Sequence, residues 1–293
     1  DWIGRYMPEV WVQPDTLDDE NRKFAQSPLR QPVFLNSLPK SGSHLLRNIL
    51  RMFVPVEQQY KADFIQWPNL QQHKHAFNPA RPMMSWGHLF MADASVIETA
   101  PTRRILLYRD PYDWVIARAR FFLSEQFSGN VDHLKSGEFD VDELLTMMIF
   151  GLPGKAPSLN DIYELNVAAW LGTKTFIVKY EDLVHNLGII DSDAAEAYFA
   201  NLFEACGIER PGDWRDRVAI GSDRKQSGTA REQLTGVSVE FPETLSARHK
   251  ALVDYQAPGL RTLLSASNTP FSTSFQPSPS LEMCRSSIVT SSV

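Results

Sequence analysis

Lys40-Ser41-Gly42-Ser43-His44 brings an ammonium, two hydroxyls, an imidazole and a glycine together within a few residues, a set suited to holding a phosphate or a related oxyanion. Lys40 supplies a mobile positive charge, and Ser43 and His44 supply donors. The flanks favour the same chemistry. Val33 to Leu38 is a short, mostly apolar run of strand type, and Leu45, Leu46, Ile49, Leu50 and Phe53 recur at helical spacing. A buried strand that turns straight into a helix through Pro39 to Ser43 aims free backbone N–H groups and the positive end of the helix dipole at one point. The order differs from that of a nucleoside-triphosphate P-loop, in which Gly-Lys is followed by Ser or Thr, because here Lys40 precedes the glycine. Gly151-Leu152-Pro153-Gly154-Lys155-Ala156 lacks both the glycine spacing and the hydroxyl, and reads as a loop.

Further along, His88 ends the apolar run that starts at Met83, and an imidazole can take a proton from a hydroxyl near neutral pH. Arg103 to Arg109 is a second buried strand with polar flanks, and it meets Asp110-Pro111, a helix N-cap followed by proline at the first helical position.

Pro39-Lys40-Ser41-Gly42-Ser43 resembles the 5′-phosphosulfate-binding loop of the sulfotransferase family, whose donor is 3′-phosphoadenosine 5′-phosphosulfate (PAPS; product PAP). The likeness continues in the same order downstream, over residues 32–264. Gly87-His88-Leu89 resembles the element that carries the catalytic histidine, and Arg109-Asp110-Pro111 the start of the 3′-phosphate site. Val178-Lys179-Tyr180-Glu181-Asp182-Leu183 is similar to a segment whose tyrosine approaches the adenine. Ser222 to Gly228 resembles the loop that closes over the 3′-phosphate.

The resemblance implies an in-line sulfuryl transfer in which Lys40 stabilises the leaving phosphate and His88 is the base. It implies that Ser41, Gly42, Ser43, His44, Arg109, Tyr180, Arg224, Lys225, Ser227 and Gly228 hold the donor, and that no metal is required. The chain departs from the pattern at Leu45 and Leu46, where an aromatic residue would stack on adenine, and at Trp86, where the family often has lysine. It departs again at Ala117, where a serine would bind phosphate; Arg118 is the candidate to take over that contact. Glu57 and Asp63 are the alternative bases. Arg109 also has a purely structural reading, paired with Asp113 or Glu181.

Strands alternating with helices predict an α/β fold, a single domain with a central, mainly parallel sheet flanked by helices. The expected helices are Tyr112 to Phe127, Asp140 to Phe150, Asp161 to Leu171, Asp193 to Cys206 and Pro242 to Leu264, the last broken at Ala257-Pro258-Gly259. In Asp193 to Cys206, Ala194, Ala197, Tyr198, Leu202 and Ala205 define the expected inner face. Lys174 to Tyr180 is the clearest further strand. Residues 1–31 are either an extension packed across the domain or a disordered leader, and 265–293 form a Ser, Thr and Pro-rich tail. Val54 to Pro82 is expected to be a long functional loop with short helices, and His73-Lys74-His75 within it to be solvated.

With 293 residues, 43% hydrophobic and 22% charged, the chain can bury one large core. Cys206 and Cys284 suggest neither a disulfide framework nor a metal site, which favours a reducing compartment, the cytoplasm. No run reaches membrane-helix length and the first residues do not resemble a signal peptide, although a chain that starts without Met leaves room for a removed leader. A net charge of −6 argues against nucleic acid and for a neutral or cationic small-molecule acceptor. Tyr60, Phe64, Trp67, Trp86, Phe90 and Phe122 are the candidate acceptor contacts. A guanidinium-type natural product and a carbohydrate are both compatible with such a lining, by O- or N-sulfation. Two further readings remain open: a P-loop kinase-like transferase, which needs Mg²⁺, and a phosphoadenosine-binding protein without turnover.

Overall fold

The apolar runs pair into one sheet. The structure, a computed structural model, describes residues 9–266. In chain order the elements are β1 (Glu9–Val10), α1 (Leu17–Asn21), β2 (Val33–Ser37), α2 (Ser43–Arg51), β3 (Ile65–Gln66), α3 (Leu70–His73), β4 (Met84–His88), α4 (Asp93–Thr99), β5 (Arg103–Tyr108), α5 (Pro111–Phe122) and β6 (Phe127–Ser128). Then follow α6 (Val141–Phe150), α7 (Leu159–Asn166), β7 (Thr175–Lys179), α8 (Tyr180–Gly188), α9 (Asp193–Cys206), α10 (Trp214–Ser222), α11 (Ala247–Gln256) and α12 (Leu260–Ala266).

The central sheet has the order β3-β4-β2-β5-β7, every neighbouring pair parallel. This is the α/β domain expected, with helices on both faces. Successive side chains of a strand point to opposite faces. Accordingly Val33, Leu35, Met84, Trp86, Ile105 and Leu107 join the core under α2, α9 and α10, while Phe34, Leu106 and Tyr108 join the core under α5, α6 and α7. From β2 the chain moves to β4 on one side, and from β5 it moves to β7 on the other. The loops after β2 and β5 therefore diverge at a switch point, where open α/β sheets form their ligand crevice. Those loops carry Lys40 and Arg109.

Local chemistry sets the helix ends, and corrects several expected ones. Asp110 Oδ1 accepts from Tyr112 N at 3.0 Å and caps α5, which stops at Phe122 because Phe127 leaves for the β1–β6 pairing. Ser158 and Asp161 form a capping box, so α7 starts at Leu159 and ends at Asn166. The Ser246 side chain caps α11, which begins at Ala247 rather than near Pro242. On α9 the buried residues are Ala195, Phe199, Leu202, Phe203 and Cys206, a face turned by about one residue from the expected one. The large aromatics decide it.

The described part of the N-terminal segment lies on the domain. Leu17 and Leu29 are buried. Asn21 Nδ2 donates to Arg51 O (2.6 Å), a carbonyl that α2 leaves free at its C-terminus, and to Val54 O (2.9 Å) just beyond the helix. Arg51, almost fully buried, pairs with Asp15 at 2.6 Å and Asp18 at 2.9 Å. Thr16 and Gln226 bond reciprocally, at 3.0 and 2.9 Å. The tail beyond residue 266, like Trp2 and Tyr6, lies outside the described residues.

Candidate active site

The turn between β2 and α2 is shaped by two residues of left-handed backbone. Lys40 has φ 65° and Gly42 φ 93°. Lys40 carries a side chain in a region that costs of order 1 kcal/mol; Trp114 Nε1 helps hold the turn by donating to Pro39 O at 2.6 Å. Gly42 has no alternative, because a Cβ there would lie 2.4 Å from Tyr180 Cδ2. The ring of Tyr180, the first residue of α8, thus lies against the turn. Gly42 is the N-cap of α2 and contributes no side-chain bond, so the first-turn amides keep the helix-terminal donors that suit an oxyanion.

Ser41 departs from its expected role. Its hydroxyl donates to Leu38 O and Leu107 O and its N–H donates to Leu38 O at 3.2 Å. Fully buried, it braces the turn and has no donor left for a phosphate. Ser43 keeps its hydroxyl at the surface of the cleft, where it accepts from Ser37 Oγ at 2.8 Å.

His88 ends β4. Its Nδ1 lies 2.6 Å from Ser37 O, and since a carbonyl only accepts, Nδ1 is the protonated nitrogen. This leaves Nε2 with its lone pair, the tautomer a base needs. The ring of Phe64 meets the imidazole edge-on at 4.5 Å. Asn36 fixes the strand end that presents His88: it accepts from Leu89 N at 2.8 Å and donates to Leu89 O at 3.1 Å. Gly87 is required here too, because a Cβ would fall 1.9 Å from Ile65 O.

On the other side of the switch point, Arg109 follows β5. Tyr163 Oη donates to its carbonyl at 2.8 Å, Glu181 accepts from Asp110 N at 3.0 Å, and Arg261 donates to Asp110 at 3.1 Å. The guanidinium lies 4.5 Å from the Tyr180 centroid, and its Nε is buried with no hydrogen-bond partner. Among the described residues it forms no ion pair with Asp113 or Glu181.

Arg118 does not stand in for the serine missing at Ala117. It is buried and donates to Met148 O at 2.9 Å and Pro157 O at 2.8 Å. Successive helix residues point about 100° apart, so Arg118 shares the inward face of Trp114 and Phe122, which its guanidinium overlies. Arg224 and Lys225 are exposed; Arg224 pairs with Glu232 at 2.5 Å, and Lys225 N donates to Asp223. Their loop is anchored to α2 by Asn48, which donates to Gln226 O at 3.0 Å, while Ser227 precedes Gly228, buried against Gln13. No hydrogen bond or ion pair joins Arg224 or Lys225 to Arg109 among the described residues.

Of the six aromatic candidates, Phe64 and Trp86 line the cleft beside the turn, together with Ser37, Ser43, His44 and Arg47. Tyr60 does not: it is buried, with its hydroxyl 2.6 Å from His73 Nδ1 and 3.1 Å from His75 Nε2. Trp67 is 46% exposed, and Phe122 packs on Phe121 and Phe127. Phe90 is half-buried outside the cleft lining. Sequence reasoning missed Arg47. Its signal was helical spacing, for it lies one turn after Ser43 and His44 on α2.

Burial governs the electrostatics. It lowers Lys40 to about 7, His44 to about 3 and His88 to about 3, with the Lys40 charge adding to the effect on both histidines. Burial likewise brings Arg47 down to about 10. The Lys40 ammonium lies 3.0 Å above the Phe121 ring. No carboxylate lines the cleft. Both histidines are therefore neutral near pH 7, and the cations left are Lys40 and Arg47, which no carboxylate pairs among the described residues; a desolvated cation is costly unless an anion completes it. Among the described residues, no group of three or more His, Cys, Asp or Glu side chains is arranged to hold a metal ion.

No family model matches this chain, and no curated protein does. Among solved structures, the fold is similar to that of mouse sulfotransferase SULT7A1 complexed with PAP, with a TM-score of 0.50 and 13% identity over 85% of this chain and 93% of that one.

Proposed function

We propose that the protein is a PAPS-dependent sulfotransferase acting on a hydroxyl or amino group of a small molecule. The observation that carries this reading is the turn into α2, which combines the partly desolvated Lys40 ammonium, paired with no carboxylate among the described residues, with first-turn amides that no side chain caps. It lies at a sheet switch point, in a fold similar to that of a sulfotransferase crystallised with PAP.

The chain's residues fit such a donor. The Tyr180 ring occupies the space that only a glycine at 42 leaves open, and the Nε of Arg109 awaits an acceptor. The amides and hydroxyl of Ser43 and His44 would hold the 5′-phosphosulfate, Arg109 the 3′-phosphate, and Tyr180 would adjoin the adenine. Arg224, Lys225, Ser227 and Gly228 form the loop that would cover the donor. The donor supplies an activated sulfuryl group, and the protein's task is alignment and charge stabilisation. Lys40 gains its full charge as negative charge grows beside it. His88, with Nε2 unprotonated, takes the proton of the incoming nucleophile. The kinase-like alternative needs Mg²⁺ and a differently ordered turn.

The test is calorimetric titration with PAP, with and without Mg²⁺, followed by sulfate-transfer assays on an acceptor panel. Metal-independent PAP binding is expected, together with a loss of about 10²–10⁴ in kcat for His88→Gln at unchanged PAP affinity. ATP binding in place of PAP would refute the assignment. Transfer undiminished in His88→Gln would remove His88 as the base.

A further inference from the structure

Arg47 is the charged residue lining the cleft, and neither the donor scheme nor the proton transfer uses it. Its guanidinium stacks on Trp86 at 3.9 Å from the ring centroid. Its Nε is buried without a hydrogen-bond partner, and no ion pair or hydrogen bond engages it among the described residues. The carboxylates that act on it from a distance, Asp15 and Asp18, are already bound to Arg51. The other polar groups around the cleft, Asn36, Ser37, Ser43 and His44, carry no negative charge. A half-buried guanidinium with one face on an indole and its Nε out of water still presents its planar fork of donors, which matches a carboxylate or another oxyanion.

Sheet order says which reactant carries that anion. The donor-side groups Arg109 and Tyr180 follow β5 and β7, to one side of β2, whereas Trp86 and His88 belong to β4 and Phe64 precedes β3, on the other side. Arg47 leans to the β4 side, onto Trp86. Phe64, which shares its cleft, touches His88.

Resting on the sulfotransferase reading, we propose that Arg47 is a specificity residue that binds an anionic group of the acceptor, so that the substrate class is hydroxy or amino acids and related oxyanion-bearing compounds. The net charge of the whole chain points to a neutral or cationic acceptor, but the cleft has its own charge, and it is positive. A neutral acceptor leaves Arg47 without an ionic partner among the described residues; an anionic one completes it. Trp86 keeps the guanidinium in place through ring stacking.

The test uses wild type, Arg47→Gln and Arg47→Lys, each titrated first with PAP and then, PAP-saturated, with 4-hydroxybenzoate and 4-hydroxyphenylacetate against their methyl esters. For wild type the acids are expected to bind at least about tenfold tighter than the esters, the scale of one charge-assisted pair. Arg47→Gln should lose this preference at unchanged PAP affinity, and Arg47→Lys should keep part of it. Equal binding of acid and ester by wild type, or no detectable binding of either, overturns the proposal. PAP affinity that falls in Arg47→Gln overturns it too, by making Arg47 a donor ligand. Absence of PAP binding to wild type removes the sulfotransferase reading itself, and this first titration separates the two failures.

Discussion

PAP binding should depend on pH through Lys40. Burial lowers this ammonium from its ordinary 10.5 to about 7, so above neutral pH the free protein holds the side chain largely uncharged. A bound phosphate favours the charged form and returns the group toward its ordinary value. Binding above pH 7 therefore takes up a proton. Affinity should then weaken by up to tenfold, about 1.4 kcal/mol, per pH unit, giving a loss of about 50- to 100-fold between about pH 7.5 and 9.5. The donor's own phosphates add no slope here, since their second ionisation lies near 6. The Phe121 ring supports the ammonium, which moves the onset upward without changing the limiting slope. Calorimetry in buffers of different ionisation enthalpy measures both the proton uptake and the affinity. Lys40→Met should bind PAP more weakly near neutrality and show no slope, while Lys40→Arg should stay pH-independent. A flat wild-type profile without proton uptake, or a slope that survives in Lys40→Met, would refute the reasoning.

Other perturbations follow from the same geometry. His44 and His88 fall from an ordinary 6.5 to about 3 on folding, so the unfolded chain binds more protons between those values. Their contribution to stability is complete above about pH 6.5 and lost on acidification, by up to about 2.7 kcal/mol per pH unit for the pair. Urea midpoints should show wild type losing stability relative to His44→Gln/His88→Gln as pH falls across that range; a constant difference contradicts it. Gly42→Ala forces alanine into the left-handed region, costing about 1–2 kcal/mol, and drives a methyl into the Tyr180 ring. Adding Tyr180→Ala should restore the steric part alone, as read from urea unfolding. Asp15→Asn leaves the nearly buried Arg51 short of a partner and should cost about 1–3 kcal/mol. Replacing both residues by apolar ones should cost less than the sum, which a double-mutant cycle measures.

The path from β2 through the turn into α2 was legible because each step has a local cause: a buried strand, a residue that must be glycine, and a helix of clear period. The start of α5 was legible for the same reason, Asp110 and Pro111 being capping chemistry. Ser41 was not legible, since a hydroxyl beside a phosphate-type turn looks like a donor until the backbone is seen to use it. Arg118 was misread because neighbouring helical positions were treated as interchangeable, when one residue turns the side chain from the surface to the carbonyls of Met148 and Pro157. Arg47 carried a readable helical signal, but its partner Trp86 lies some forty residues on in the sequence and became a neighbour only through strand pairing. The two-residue strands β1, β3 and β6 have no periodicity to read; their partners define them.

The reciprocal bonds between Thr16 and Gln226 span 210 residues, and this has a consequence for the order in which the molecule assembles. Closing a chain segment of that length costs about 5 kcal/mol of loop entropy, and a sheet of parallel strands is itself slow to form. During synthesis β2, the turn and α2 emerge early, yet Gln226, which bonds Asn48 of α2, is made 178 residues after it. Thr16 and Asn48 thus lack this partner through most of the chain's synthesis. In refolding, pulsed proteolysis should find the 223–236 segment cleavable well after the central sheet has become protected.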